Sequence, residues 1–113
     1  MPAIRLNKYS NISQIARFEV LVAEFRTDGF VIQDTTFDAN DEVSNLQPHQ
    51  YAFPPGICLR KGDIVIVDLE TSGEHVHDTE GGILYLYAGF RQGVVTEDDT
   101  LVLLQKVAAF PLS

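Results

Sequence analysis

The chain has 113 residues, of which 45% are hydrophobic, so it is long enough for one domain over residues 1–113 with its own core. Its 16 acidic and 8 basic side chains give a net charge of −8, which disfavours a phosphate backbone and predicts no nucleic-acid partner. No apolar run approaches the ~20 residues that span a bilayer, which predicts no membrane partner. The single Cys58 leaves no internal disulfide and favours a cytoplasmic location.

The first two predicted strands lie in the N-terminal third of the chain. Apolar and polar residues alternate in Phe18–Phe25, and a second short apolar strand is predicted at Phe30–Asp34. Between them, Thr27-Asp28-Gly29 is a turn signal, so we expect these two strands to pair. Before them, Ser13–Arg17 is expected to form at most a single helical turn.

The centre of the chain alternates between long polar segments and apolar strands. Residues 35–48 are polar without a clear period, which predicts a long loop. Ile64–Val67 is a run of four β-branched residues, which favours an inner strand covered on both faces. A second loop is predicted at residues 70–82, and Ile83–Phe90 then forms a strand that also looks covered on both faces.

Two further strands are predicted near the C-terminal end, at Thr100–Leu104 and Val107–Phe110. The count reaches about seven short strands, separated by clusters of Gly, Pro and Asp, and no long segment carries a helical period. Short strands at near-regular spacing are typical of an all-β sandwich or small barrel. The sequence therefore predicts an all-β domain.

The segment Tyr51–Gly62 joins an aromatic strand to a tight turn. Pro54 and Pro55 remove two backbone donors in a row, so this stretch is expected at a sheet edge or at a crossing between sheets. Cys58 lies in an apolar Ile-Cys-Leu setting, which predicts a buried, unreactive thiol.

Three parts of the chain share their order and spacing with a known family. Gly29-Phe30-Val31-Ile32-Gln33-Asp34 is similar to a Gly-Trp-x-Leu-x-Asp signature, with Phe30 in the place of the tryptophan. Tyr51–Gly62 is similar to Tyr-x-Phe-Pro-x-Gly-x-x-Leu-x-x-Gly, and Asp98-Asp99-Thr100 resembles the Gly-Asp-Thr of the family's closing pattern. The chain thus resembles the lamin tail domain at Gly29, Phe30, Asp34, Tyr51, Phe53, Pro54, Gly56, Leu59, Gly62, Asp99 and Thr100.

This resemblance implies an immunoglobulin-like β-sandwich that acts as a non-catalytic binding or structural module. The implied partner is another protein of unknown identity, and no cofactor is expected. Tyr51, Phe53 and Leu59 would be core anchors of the sandwich. The two long loops, 35–48 and 70–82, would offer contact surfaces.

The candidate recognition residues are mainly aromatic side chains of the strand predicted at Ile83–Phe90. Tyr85, Tyr87, Phe90 and Arg91 are of the types that anchor interfaces when they reach the surface, although the strand pattern places most of them in the core. A flat aromatic face, or an unpaired edge beside Pro54, is compatible with a homodimer.

The first alternative function is a module stabilised by a cation. His75 and His77 would point to one side of an extended chain with Asp78 nearby, a set that suits Zn²⁺. Oxygen ligands that suit Ca²⁺ occur at Asp38, Asn40, Asp41, Glu42, Asp98 and Asp99. For both sets a solvated polar loop is the simpler interpretation.

The second alternative starts from Gly62–Asp68, which also resembles the β-domain of LexA-like self-cleaving peptidases. That family places a catalytic Ser before this strand and a catalytic Lys after it. No Ser-Met-x-Pro motif precedes Leu59, and the only Lys beyond Gly62 is Lys106. The chain would be a relative without the catalytic residues. No enzyme activity is expected, because Ser72 and His75 lie on a glycine-containing loop that is a poor platform for a preorganised site.

Overall fold

The computed structural model describes residues 3–10, 13–36, 50–90 and 99–105, and every regular element in these ranges is a β-strand. The strands are β1 (Ile4–Ser10), β2 (Ile15–Val20), β3 (Phe25–Arg26), β4 (Phe30–Thr36), β5 (Gln50–Ala52), β6 (Cys58–Leu59), β7 (Ile64–Asp68), β8 (Val76–Asp78), β9 (Ile83–Tyr87) and β10 (Asp99–Gln105). The predicted all-β class is confirmed. The expected count of about seven was too low, because four of the strands have only two or three residues.

The strands form three sheets. The largest has five strands in the order β1-β2-β7-β9-β8, in which β7 and β9 run parallel and the other neighbours antiparallel. The second has three antiparallel strands in the order β10-β4-β5, and the third pairs β3 with β6. Among the described residues no helix is long and apolar enough to cross a bilayer.

One hydrophobic core joins the three sheets. The five-stranded sheet contributes alternate residues of β2, β7 and β9, while β4 contributes Phe30 and Ile32 from the opposite side. The fully or almost fully buried apolar residues are Ile4, Ala16, Phe18, Val20, Phe25, Phe30, Ile32, Phe53, Leu59, Val65, Val67, Leu69, Leu84, Leu86 and Phe90. A single core between sheets is the arrangement of a sandwich-like fold.

The pairing predicted between the first two strands is wrong. The strand expected over Phe18–Phe25 ends at Val20, and β2 pairs with β1 and β7. The chain bends at residues 22–24 and crosses to the other sheet, where β4 pairs with β10 and β5. Phe25 of β3 packs in the same core as Phe18 and Val20 of β2. Apolar residues therefore continue through the bend, and no change in the sequence pattern marks the end of β2.

The N-terminal region also differs from expectation. β1 was not predicted, because as an edge strand it exposes most of its side chains and its pattern is broken by a β-bulge between Leu6 and Lys8. The helical turn expected at Ser13–Arg17 is replaced by a tight turn that leads into β2. There Gln14, at φ 55°, donates its N–H to the carbonyl of Ser10.

Burial in the long central strands is complete on one face only. Val65 and Val67 are fully buried, whereas Ile64 and Ile66 on the other face are half-buried. β9 shows the same pattern and ends at Tyr87 instead of continuing to Phe90. The loop expected at residues 70–82 contains the edge strand β8.

The remaining predicted elements are partly covered by the structure. The strand predicted at Thr100–Leu104 lies within β10. The strand predicted at Val107–Phe110 lies outside the described residues, as does the predicted loop beyond Thr36. Among the described residues β5 is the terminal strand of its sheet, and Pro54 and Pro55 follow it outside any strand, which agrees with the predicted position at an edge or at a crossing between sheets.

A buried threonine ties two turns together. The hydroxyl of Thr27, which is fully buried, donates to the carbonyl of Pro54 at 2.5 Å and accepts the N–H of Ile57 at 3.2 Å. The neighbouring Asp28 accepts the N–H of Gly56 at 2.7 Å. The hydrogen bond from Arg26, together with that from Gly56, holds the pKa of the Asp28 carboxyl below its ordinary value.

We expect Thr27→Val to lower the free energy of unfolding by about 1–3 kcal/mol, because the isosteric change leaves the partly buried carbonyl of Pro54 and N–H of Ile57 without their hydroxyl partner. The matched control is Thr27→Ser, which keeps the hydroxyl. Urea unfolding followed by circular dichroism measures both variants. Equal losses for the two would show that packing, and not the hydroxyl bridge, stabilises these turns.

Candidate functional site

The face of the five-stranded sheet that points away from the core is rich in apolar side chains. We call it the outer face. Its members alternate along each strand with the fully buried residues of β2, β7 and β9, so they must point the opposite way. Its apolar residues are Ile15, Ile64, Ile66, Val76, Ile83, Tyr85 and Tyr87. Val76 is 53% exposed and the others are half-buried.

The strand register arranges the outer face in three rows that cross the sheet from β1 towards β8. The first row is Arg5, Glu19, Ile64, Ile83 and Asp78. The central row is Lys8, Arg17, Ile66, Tyr85 and Val76. The third row is Ser10, Ile15, Asp68 and Tyr87. Cross-strand neighbours within a row lie about 5 Å apart, so each row is a continuous surface.

Charge is divided across the outer face. Its basic residues, Arg5, Lys8 and Arg17, lie on β1 and β2, where Arg5 also pairs with Glu19 at 2.9 Å. The opposite edge carries the acidic Asp78 on β8. The sheet therefore has a basic half at β1 and β2, an isoleucine centre on β7, and an aromatic half with an acidic edge at β9 and β8.

The carboxylates near the aromatic half are held by backbone groups. Asp68 accepts the N–H groups of Glu70 and Thr71 at 3.2 and 3.0 Å, which turns it towards its own loop. Asp78 accepts the N–H of Gly81 at 2.9 Å, which fixes the turn between β8 and β9. Both side chains are thus positioned by the turns that follow their strands.

A groove of about 340 Å³ opens on the basic half. Ile15 and Ile66 give it apolar walls, and its polar lining comes from Lys8, Ser10, Ser13 and Arg17. An aromatic ring with a polar tip fits such a lining, because the isoleucines would cover the ring while the serines and basic groups meet its hydroxyl. An arginine beside the ring adds a cation–π contact.

The predicted binding residues divide into three groups. Tyr85 and Tyr87 lie on the outer face and are half-exposed. Phe90 is only 7% exposed, belongs to the core, and donates its N–H to the carbonyl of Leu69 at 2.6 Å, so it is a packing residue and not a contact residue. Arg91 lies outside the described residues.

The predicted zinc ligands are not brought together as a set. His77 lies opposite the inward-facing Leu84, whereas Asp78 lies opposite Ile83 on the outer face, so consecutive residues of β8 point to opposite sides. His75 is exposed in the segment before β8. Among the described residues no group of three His, Cys, Asp or Glu side chains could hold a metal ion.

The other predicted metal ligands are only partly covered. Asp38, Asn40, Asp41, Glu42 and Asp98 lie outside the described residues. The backbone of Asp99 starts β10, but its side chain is also outside what the structure describes.

The positions shared with the lamin tail domain lie on the opposite side of the core. The rings of Phe25, Phe30 and Phe53 form a packed series, with centroids 4.8 and 6.3 Å apart, and half-buried Tyr51 lies 6.2 Å from Phe53. Leu59 is buried beside them. These residues are therefore scaffold.

The turn residues of the same motif also have structural roles. Gly29, Gly56 and Gly62 all adopt positive φ, which glycine tolerates best. Pro54 provides the carbonyl that accepts the Thr27 hydroxyl. For Asp34 and Thr100 the structure describes only the backbone, which pairs within β4 and β10.

The prediction of a buried Cys58 is wrong. In the two-residue strand β6 the side chain of Leu59 turns into the core, so that of Cys58 must turn outward, and it is exposed. It lines a second groove, of about 320 Å³, with Glu24, Phe25, Arg26, Leu59 and Arg60. The neighbours Ile57 and Leu59 do face the core, and this apolar setting led to the prediction that Cys58 is buried.

Sequence reasoning missed the outer face as a surface. The sequence did contain a feature that could have predicted it. In β7 and β9 the core residues alternate with further apolar residues, Ile64, Ile66 and Ile83, which must lie on the opposite face. No protein-family model and no curated protein matches the chain. The geometry of the outer face is thus the main guide to function.

Proposed function

We propose that this chain is a non-catalytic binding module that contacts another protein through the outer face. The main observation is that β7 and β9 present apolar residues on both faces, although in the part of the chain that the structure describes only one of these faces borders the core. In a sheet with one solvated face, the solvent side is normally polar. An apolar solvent side loses unfavourable hydration when a partner covers it.

The composition of the outer face supports a protein partner. Tyrosine and arginine are the side chains that most often dominate binding energy, and the central row carries Arg17 and Tyr85 on either side of Ile66. Most charged groups lie on β1, β2 and β8, and Asp68 lies at the end of β7, so the isoleucines of β7 and the tyrosines of β9 form an apolar centre with charged groups around it. Such a surface suits contact with a folded protein of similar character.

A role without catalysis agrees with the state of the acidic groups on this face. Glu19 pairs with Arg5, and Asp68 and Asp78 accept hydrogen bonds from the backbone. These contacts use the carboxylates to shape turns and strand edges. They are therefore positioned as structural and rim groups.

The finer features of the proposal are the type of sandwich and the location of the protein. The packed aromatic series of Phe25, Phe30 and Phe53 agrees with a lamin-tail-like, immunoglobulin-like sandwich used as an interaction module, which is an analogy of fold. The exposed, unpaired thiol of Cys58 favours a reducing compartment such as the cytoplasm.

The test uses the immobilised chain as bait in a lysate of its source cells. The variant Ile66→Thr/Tyr85→Thr removes the centre of the outer face while keeping strand-forming residues. We expect proteins retained by the wild type to be depleted at least about tenfold with this variant, because about 1.4 kcal/mol is a tenfold change in affinity and the loss of a hot-spot residue costs about 2 kcal/mol or more. Quantitative mass spectrometry of the eluates measures the change.

The matched control is Leu104→Thr, which removes a 46% exposed leucine from β10 in another sheet. It should retain the same proteins as the wild type. If all three baits retain the same proteins in the same amounts, the outer face is not the binding surface and the proposal fails.

A further inference from the structure

We infer that the partner of the outer face is a second copy of this chain, packed face to face about a two-fold axis that runs along the strands. The inference rests on the proposed function, because it names the partner of the same surface. It is carried by the distribution of charge and shape over the three rows.

The outer face is electrically neutral in a strongly acidic chain. Its three basic residues on β1 and β2 balance Glu19, Asp68 and Asp78, whereas the whole chain carries −8. Two copies of an acidic protein repel each other over most of their surfaces. The outer face is a surface through which two copies can approach without this repulsion.

The charge pattern also selects the orientation. A two-fold axis that ran across the strands along the central row would place β1 over the partner's β1 and β2 over the partner's β2, and so oppose Lys8 and Arg17 to their own copies. An axis that runs along β7 places β1 over the partner's β8, and so opposes the basic half to the acidic edge. Like charges across an interface are unfavourable, so the second arrangement is favoured. It is also the aligned packing that sheets adopt in sandwiches.

This orientation gives each row a complementary counterpart. In the first row Arg5 faces the partner's Asp78, and in the central row Arg17 faces the partner's Tyr85. Ile64 and Ile66 lie near the axis and meet their own copies. Each of these contacts occurs twice because the interface is isologous.

Shape agrees with charge. The groove on the basic half lies across β1, β2 and β7, which is where the partner's β9 is placed by the two-fold axis. The partner's Tyr85 and Tyr87 would enter this groove against Ile15 and Arg17. Asp68 also lies near the axis, but its bonds to the N–H groups of Glu70 and Thr71 hold it against its own loop.

The size of the face predicts a weak dimer. Five strands about 4.8 Å apart and five residues of about 3.3 Å each outline a rectangle of about 24 × 17 Å. Two such faces bury roughly 800 Å² in total before the flanking turns are counted, which is below the roughly 1,200 Å² of stable interfaces and in the range of weak, transient ones. We therefore expect a dissociation constant between about 10 μM and 1 mM.

The first measurement is sedimentation velocity of the wild-type chain over that concentration range. The weight-average mass should rise from the 12.6 kDa of the monomer towards twice that value. A mass that stays at 12.6 kDa throughout would overturn the inference.

The decisive measurement uses two charge-reversal variants, Arg5→Glu and Asp78→Lys. Each alone places two like-charged pairs in the interface and should weaken the dimer at least about tenfold. An equimolar mixture should dimerise again, because the mixed dimer contains one Glu–Lys pair and one Arg–Asp pair. Each variant also loses its own contact with Glu19 or Gly81, but this local loss is unchanged on mixing. Recovery can therefore come only from contact between chains, and a mixture that stays monomeric overturns the inference.

Ile66→Glu and the control Leu104→Glu test the location of the interface. Ile66→Glu should abolish the dimer, since it brings two carboxylates together near the axis, and Leu104→Glu should leave it unchanged. The opposite pattern would place self-association elsewhere and overturn the inference. If the wild type is monomeric but its retained proteins still depend on Ile66 and Tyr85, the face binds a different protein: the proposed function then stands and the second copy is ruled out.

Discussion

Replacing Phe53 by alanine is expected to lower the free energy of unfolding by about 3–5 kcal/mol. Phe53 is 3% exposed and packs between Phe30 and Tyr51 in the aromatic series. Its N–H also donates to the carbonyl of Phe30 at 2.8 Å, directly before the two prolines. A domain of this size has about 5–15 kcal/mol of stability in total, so the loss removes a large part of it.

The control for this substitution is Phe53→Leu, which keeps most of the buried volume and should cost about 1.5 kcal/mol or less after repacking. Urea unfolding of both variants measures the difference. If alanine costs no more than leucine, the site collapses around the smaller side chain and the aromatic series is not essential. Self-association should persist in the folded fraction of either variant, because Phe53 lies on the far side of the core from the outer face.

The second large effect is expected at Leu84, which is fully buried in the centre of β9. Leu84→Ala should cost about 2–5 kcal/mol, through lost burial and the cavity that remains. Its neighbour Tyr85 points to the outer face, so Tyr85→Thr should cost about 1 kcal/mol or less, because threonine keeps the preference for a strand. Substitutions at these two consecutive residues therefore separate an effect on stability from an effect on binding.

Thermal melts and sedimentation of the two variants measure this separation. Leu84→Ala should melt at a markedly lower temperature, yet dimerise as the wild type does at temperatures where it is folded. Tyr85→Thr should melt close to the wild type and show the weakened dimer. Similar melting temperatures for the two would mean that Tyr85 is a core residue, and that the outer face is covered within the chain.

Much of the fold class followed from local sequence. The β-branched run at Ile64–Val67 and the alternation in Ile83–Tyr87 predicted two strands that the structure contains as β7 and β9. Pro54 and Pro55 predicted a sheet edge or a crossing between sheets, because proline has no backbone N–H to donate to a neighbouring strand. These features could be predicted because each depends only on residues that are neighbours in the chain.

The relations between strands could not be predicted in the same way. The alternation of Phe18–Phe25 was correct for burial but wrong for pairing, since one core receives side chains from two sheets across a bend. The parallel pairing of β7 with β9 brings together segments that β8 separates in the chain. The outer face depends on this pairing, because the pairing places Tyr85 beside Ile66. The sequence could therefore identify Tyr85 and Tyr87 as candidate contact residues, but it could not identify the surface to which they belong.

The bulge in β1 has a consequence for the way this edge can evolve. On either side of it, Leu6 lies opposite Phe18 and Lys8 lies opposite Arg17, so Asn7 is an extra residue that reverses the parity of the strand. If Asn7 were paired regularly instead of forming the bulge, Lys8 would turn towards the core and Tyr9 towards solvent. The strand can therefore change its length by one residue at this point, because deletion of Asn7 would leave Lys8 opposite Arg17 and Tyr9 opposite Ala16 in a regularly paired ladder.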